Sequence, residues 1–247
     1  MTVLFFALLG AIFGSFTNVV IYRLPRMMNG DAINLSWPPS FCPSCQQRIK
    51  SRYNIPLLGW LWLRGRSRCC QKRISARYPC VEATMALLFA GLIWQQGVSV
   101  PALLELALLS LMVAMFFIDL DHLLLPNVLT IPFILLAMLC TFARQPALTT
   151  LNDIALGTAI GFLVPWLVSY GFALRSGRVG MGMGDIKLFA GIGAWHGWQA
   201  LFNIMLIASL LGLVSGLLLF RAKRNEAFPF GPAIIMASVG WLLFQNQ

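Results

Sequence analysis

Long apolar runs separated by short polar turns set the pattern of this chain. Apolar stretches occupy residues 2–22, 81–97, 100–118, 125–143, 153–174, 185–197, 199–220 and 230–245. About 20 such residues cross the hydrocarbon core of a bilayer as a helix. The pattern therefore predicts an all-α polytopic membrane protein with about eight transmembrane helices. Stretch 185–197 is short, and 81–97 with 100–118 also reads as a helical hairpin bent at Gly97 and Pro101. Glycine and proline inside such helices are tolerated because neighbouring helices satisfy the freed backbone groups. The eight stretches do not divide into two similar halves, which argues against an inverted-repeat transporter.

The one long polar interval, 23–79, is broken by Pro25, Pro38, Pro39, Pro43 and Pro56. The chain thus divides into a first transmembrane helix (1–22), a basic insert (23–79) and a membrane bundle (80–247). Composition agrees: 59% of the residues are hydrophobic, 11% are charged and mean hydropathy is +0.79, which excludes an ordinary soluble domain.

The net charge of +10 matters through its distribution. With eight spans and an external N-terminus, 17 of the 18 Lys and Arg fall on the cytoplasmic side, in the insert and in the turns at 175–187 and 221–224; Arg144 is the exception. This is the positive-inside pattern. It predicts a multi-pass membrane protein with both termini on the external side. The first stretch is read as a retained helix and not as a signal peptide, since its charges, Arg23 and Arg26, follow the apolar core. The basic insert suits a solvated loop resting on anionic lipid headgroups. Trp37, Tyr53, Trp60 and Trp62 form no recognisable stacking module, so no nucleic-acid partner is expected.

Within the insert, FCPSCQQRI places Cys42 and Cys45 at the knuckle spacing that holds zinc through thiolates. In a reducing cytosol a disulfide is the weaker reading. A second regular C-x-x-C would begin at Ser67 and end at Cys70, and the extra thiol sits instead at Cys69. Three readings stand: zinc held by Cys42, Cys45, Cys69 and Cys70; zinc held by three thiolates and another donor; or a loop without metal. Two adjacent cysteines ligate one ion only if the backbone bends. Cys80 and Cys140 read as small apolar residues of the bundle.

The eight acids are few enough to weigh singly. Asp31 and Glu226 lie in polar segments, Asn152 and Asp153 suit a helix cap, Glu82 suits a helix first turn, and Glu105 has no obvious partner. Asp119 and Asp185 differ. One ends a span in MFFIDLDHLLLPN and the other begins a span in GMGMGDIKLF, and the topology puts both at the cytoplasmic face. Two neighbouring carboxylates tend to share a proton. Such a pair hydrolyses amides without a metal: the ionised acid takes a proton from water and the protonated one polarises the scissile carbonyl. Gly180, Gly182 and Gly184 would leave room for a substrate backbone. From the residues alone, the pair fits a protease and an ion relay equally; a membrane anchor presenting a zinc knuckle is a third reading.

GSFTNVVIYRLP (14–25), C-P-x-C (42–45), RYPCVE (77–82), IDLDHLLLPN (118–127), GMGDIK (182–187) and FGP (230–232) occur in that order. Over nearly its whole length the chain resembles the type IV prepilin peptidases, the GxGD-type membrane aspartyl proteases. The resemblance implies cleavage of the basic leader of type IV prepilins or pseudopilins at the cytoplasmic membrane face, serving pilus assembly or type II secretion. It assigns the catalytic aspartates to Asp119 and Asp185, with Asp121, Gly182, Gly184 and Lys187 as supporting residues. It also implies N-methylation of the new N-terminal residue with S-adenosylmethionine, and no cofactor for proteolysis. The family's insert carries two C-x-x-C pairs, from which Ser67 departs. The residues themselves show no Gly-rich βαβ fingerprint for the methyl donor and leave its site unassigned, as they leave the oligomeric state.

Overall fold

The computed structural model describes residues 1–42, 44–144, 148–178, 180–218 and 228–245. The expected basic turn at 221–224, and Glu226, lie outside the described residues. The chain is helical: α1 (Thr2–Met28), α2 (Leu58–Trp62), α3 (Arg77–Gln96), α4 (Val100–His122), α5 (Asn127–Arg144), α6 (Leu148–Ser176), α7 (Met183–Leu218) and α8 (Gly231–Gln245). Each expected apolar stretch is helical over nearly all of its described residues; 219 and 220, the end of stretch 199–220, lie outside them. Among the described residues, five helices (α1, α4, α5, α6 and α7) are long and apolar enough to cross a membrane. The two stretches expected at 185–197 and 199–220 run together as α7, which breaks its helical geometry at Gly197 (φ 80°, ψ 166°). Helix α8 has 15 residues and rises only about 22 Å, short of the hydrocarbon thickness of about 30 Å.

Two compact units divide the chain, Met1–Val98 and Ser99–Gln247. In the first, α1 packs along α3. The contact is close because Gly14 presents no side chain: a Cβ there would lie 2.7 Å from the Glu82 Cα, the small-residue approach typical of membrane helix pairs. Helix α1 continues through Pro25 to Met28, beyond the expected end at residue 22, and the buried Arg23 ties it to the insert by donating to the carbonyls of Asn34 (2.8 Å) and Pro38 (2.7 Å).

In the second unit α4 packs on α5 and α8, and α7 packs on α5, α6 and α8. Helices α6 and α7 touch backbone to backbone where Gly157 meets Gly193. At the end of α4 opposite Asp119, the fully buried Glu105 forms an ion pair with Arg144 at the end of α5. Glu105, which had no obvious partner in the sequence, thus pairs with another helix, through the basic residue that stood apart from the positive-inside set. Asn152 and Asp153 lie inside α6, which starts earlier at Leu148, and not at its cap. Cys140 is buried as expected, whereas Cys80 is exposed.

Candidate active site and candidate metal centre

Asp119 sits in the last turn of α4 and is 5% exposed. The helix stops three residues later because Leu123 adopts the left-handed conformation (φ 53°) and returns its N–H to the Asp119 carbonyl at 2.9 Å. Asp185 sits in the first turn of α7, where the helix dipole favours negative charge. The short link between α4 and α5 joins the two helix ends. Leu125 fills the space beside Gly184, where a Cβ would lie 2.6 Å from the Leu125 Cβ. Lys187 adds a second tie, its Nζ donating to Asn127 Oδ1 at 2.7 Å. Room expected for substrate at Gly184 is thus taken by Leu125, while Gly182 is exposed and a Cβ there would meet only Asp185 Oδ2, at 3.6 Å.

A third helix end closes the cluster. Gly231, the first residue of α8, donates its N–H to Asp119 Oδ2 at 2.9 Å, and a Cβ at this position would lie 2.8 Å from the same oxygen. FGP was visible in the sequence as a motif without a role; Gly-Pro opening an apolar helix was the available signal. Asp119 and Asp185 act on each other electrostatically. Their oxygens differ in partners: Asp119 Oδ2 holds the Gly231 N–H, whereas Asp185 Oδ1 is buried without a hydrogen bond. Asp121 is exposed, two residues beyond Asp119.

In the first unit, Cys42, Cys45, Cys69 and Cys70 place their four sulfurs within 4.8 Å of one another. Two similar turns achieve this. In one, Cys42 N–H donates to the Gln47 carbonyl (2.9 Å) and Gln46 N–H to the Cys42 carbonyl (2.8 Å). In the other, Ser67 N–H donates to the Lys72 carbonyl (2.9 Å) and Gln71 N–H to the Ser67 carbonyl (3.0 Å). Gln46 and Gln71 both take positive φ, at 61° and 59°. Ser67 therefore occupies the position that Cys42 holds in the first turn, and its hydroxyl hydrogen-bonds Cys70 Sγ at 3.0 Å. The bent backbone that adjacent thiols require is supplied by this second turn, and Cys69 Sγ lies 3.1 Å from Cys45 Sγ.

The four thiols can hold a metal ion, and their sulfur-only donor set suits a soft or borderline cation. Burial opposes a thiolate at Cys42, but the backbone N–H groups of Cys45 and Ser44 outweigh it and pull that thiol down to about 6. Cys45, hydrogen-bonded to Cys69, is pushed up to about 12.

Residues 8–96 match the bacterial peptidase A24 N-terminal domain, and residues 106–217 match the type IV leader peptidase family. The chain belongs to the type IV leader peptidase family. Among its relatives, a prepilin leader peptidase/N-methyltransferase of Pectobacterium carotovorum subsp. carotovorum is 42% identical over 94% of this chain and 89% of its own length. One of the same name from Aeromonas hydrophila is 41% identical over 93% and 85%. Another, from Klebsiella pneumoniae, is 47% identical over 83% and 90%. No solved structure matches the chain. The two matched regions fall one in each compact unit, so the thiol cluster belongs to the N-terminal family domain and both aspartates to the peptidase domain.

Proposed function

We propose that this protein is an inner-membrane aspartyl endopeptidase that removes the basic leader of type IV prepilins or pseudopilins and then N-methylates the new N-terminus. One observation carries the peptidase reading: two carboxylates from α4 and α7 act on one another at one site where, among the described residues, Asp119 receives a backbone hydrogen bond and Asp185 Oδ1 has none. That asymmetry supports a division of labour. Asp119, held by the Gly231 N–H, acts as the base that takes a proton from water. Asp185, with Oδ1 unpartnered, acts as the protonated acid that donates to the scissile carbonyl. Water adds to the carbonyl carbon; the tetrahedral diol then collapses as its C–N bond breaks, one diol hydroxyl returning its proton to Asp185 while the proton held by Asp119 passes to the leaving amine.

Gly184 and Lys187 act as supports that seat α7 against the α4–α5 link, Gly182 leaves the approach to Asp185 open, and Asp121 lends negative charge near the entrance. Proteolysis by this route uses no cofactor. The basic insert supports an orientation with the aspartates at the cytoplasmic face and both termini in the periplasm. The four thiols take zinc in a structural role, closing the two turns of the insert. When bound, S-adenosylmethionine supplies the methyl group for the product amine.

Incubating purified protein with a prepilin and S-adenosylmethionine, then reading product masses, scores both activities. Loss of the leader mass followed by gain of one methyl supports the reading. An intact prepilin under conditions where the protein remains folded overturns it.

A further inference from the structure

The first unit encloses a cavity of about 640 Å³ between α1, the start of α3 and the insert, a size typical of small-molecule sites. Its lining is mostly basic, with Arg48, Lys50, Arg68 and Lys72 on the insert side and Arg23 and Arg77 on the helix side; Glu82 is its one carboxylate. Trp60, Tyr22 and Tyr78 contribute aromatic wall.

Two polar groups on the helix side are incompletely used. Asn18 is 3% exposed, and its Nδ2 donates to the Tyr78 carbonyl at 3.1 Å. Because a carbonyl only accepts, this bond fixes the amide orientation and leaves Oδ1 as a buried acceptor with no partner. Glu82 is 8% exposed; its Oε2 accepts the Leu57 N–H at 2.7 Å, the Ser15 hydroxyl lies beside it, and no cation pairs with it among the described residues. A buried acceptor and a buried carboxylate are both costly without partners, and a donor-rich cation satisfies both at once. Their relative position is rigid, since Gly14, one helical turn before Asn18, packs directly against the Glu82 backbone.

We propose that this cavity is the methyl-donor site, taking S-adenosylmethionine with its ammonium on Asn18 Oδ1 and Glu82 and its carboxylate toward the basic insert. This rests on the methyl-transfer reading above. The sulfonium lies along the aromatic wall, where ring faces favour a cation. A wholly anionic nucleotide fits the basic lining but meets Glu82 with the wrong charge, so the site prefers the methyl donor, whose ammonium and sulfonium are cationic, to ATP.

Equilibrium dialysis of radiolabelled S-adenosylmethionine against the full-length, zinc-loaded protein in detergent tests this. The expected result is saturable binding, weakened tenfold or more by Glu82→Gln and by Asn18→Leu, with zinc content and detergent elution unchanged. Should either variant fail to fold, ultraviolet cross-linking of labelled donor to the unaltered protein gives the answer: label in the peptides around Asn18, Trp60 or Tyr78 supports the site. Absence of any donor binding by the unaltered protein overturns the methyl-transfer reading. Donor binding that both folded variants retain at full affinity, label confined to residues beyond 98, or equal competition by ATP overturns the cavity assignment alone.

Discussion

In the first unit, sulfurs from residues 24 and 28 positions apart meet because two short turns repeat the same backbone hydrogen bonds. In the second, carboxylates on α4 and α7 are brought to one site through tertiary packing: both helices pack against α5 and α8, and glycines admit the close contacts. The thiol cluster is therefore set by local turn chemistry, while the carboxylate cluster depends on the packing of the whole unit. A substitution at the first should act locally on metal binding; one at a helix contact in the second should move a reacting group.

The largest effect is expected where chemistry and packing coincide. Asp119→Asn and Asp185→Asn should each lower leader cleavage of a coexpressed prepilin by about 10³-fold, within the span that positioned acid–base groups contribute. The zinc content should stay unchanged. Full cleavage by both single variants would remove this pair from the chemistry and leave the second unit without an active centre.

Gly231→Ala comes next. The added Cβ would lie 2.8 Å from Asp119 Oδ2, so either α8 or the carboxylate must shift. Misplacing a catalytic group by about 1 Å costs on the order of 10²-fold. Cleavage kinetics should show this loss mainly in kcat, with the protein still inserted and monodisperse. Wild-type kcat would mean that the Gly231 contact does not set the position of Asp119.

These two sites differ in how they could be read from the chain. The C-P-x-C spacing and the two membrane-edge aspartates were legible because local spacing and hydropathy encode them. The Gly231 contact was not, because it joins residues 112 positions apart and nothing in local pattern sets the approach of α8. The ion pair of Glu105 with Arg144 was hidden for the same reason: each residue looks isolated until α4 and α5 pack side by side. Helix ends also shifted from the local pattern, as where α1 runs through Pro25 to Met28 while Arg23 holds carbonyls of the insert.

Removing metal from the first unit should separate the two activities. Cys42→Ser, or chelation of the wild-type protein, should release zinc and raise proteolytic susceptibility across residues 41–74. Methyl gain should be lost, while leader cleavage should stay within about threefold, since substitutions away from a reacting group act weakly. Equal loss of both activities would mean that the second unit depends on the metal-held turns, and the contrast between a local and a packed site would fail.

The smallest effect is expected at Ser67→Cys. Ser67 repeats the backbone hydrogen bonds of Cys42 in the other turn, so a thiol there would stand at the regular ligand position and compete with Cys69 for one ion. Zinc stoichiometry should remain at one, with affinity changed by less than about tenfold, because four thiolates still surround the metal. The sharper form adds Cys69→Ser. Alone, that change leaves three thiols and should weaken binding; combined with Ser67→Cys it should restore wild-type zinc affinity in competition with a chromophoric chelator. A double variant that binds as weakly as Cys69→Ser would show that the matching turns do not place residue 67 toward the metal, and that the Cys69–Cys70 pair is held by something other than the repeated turn.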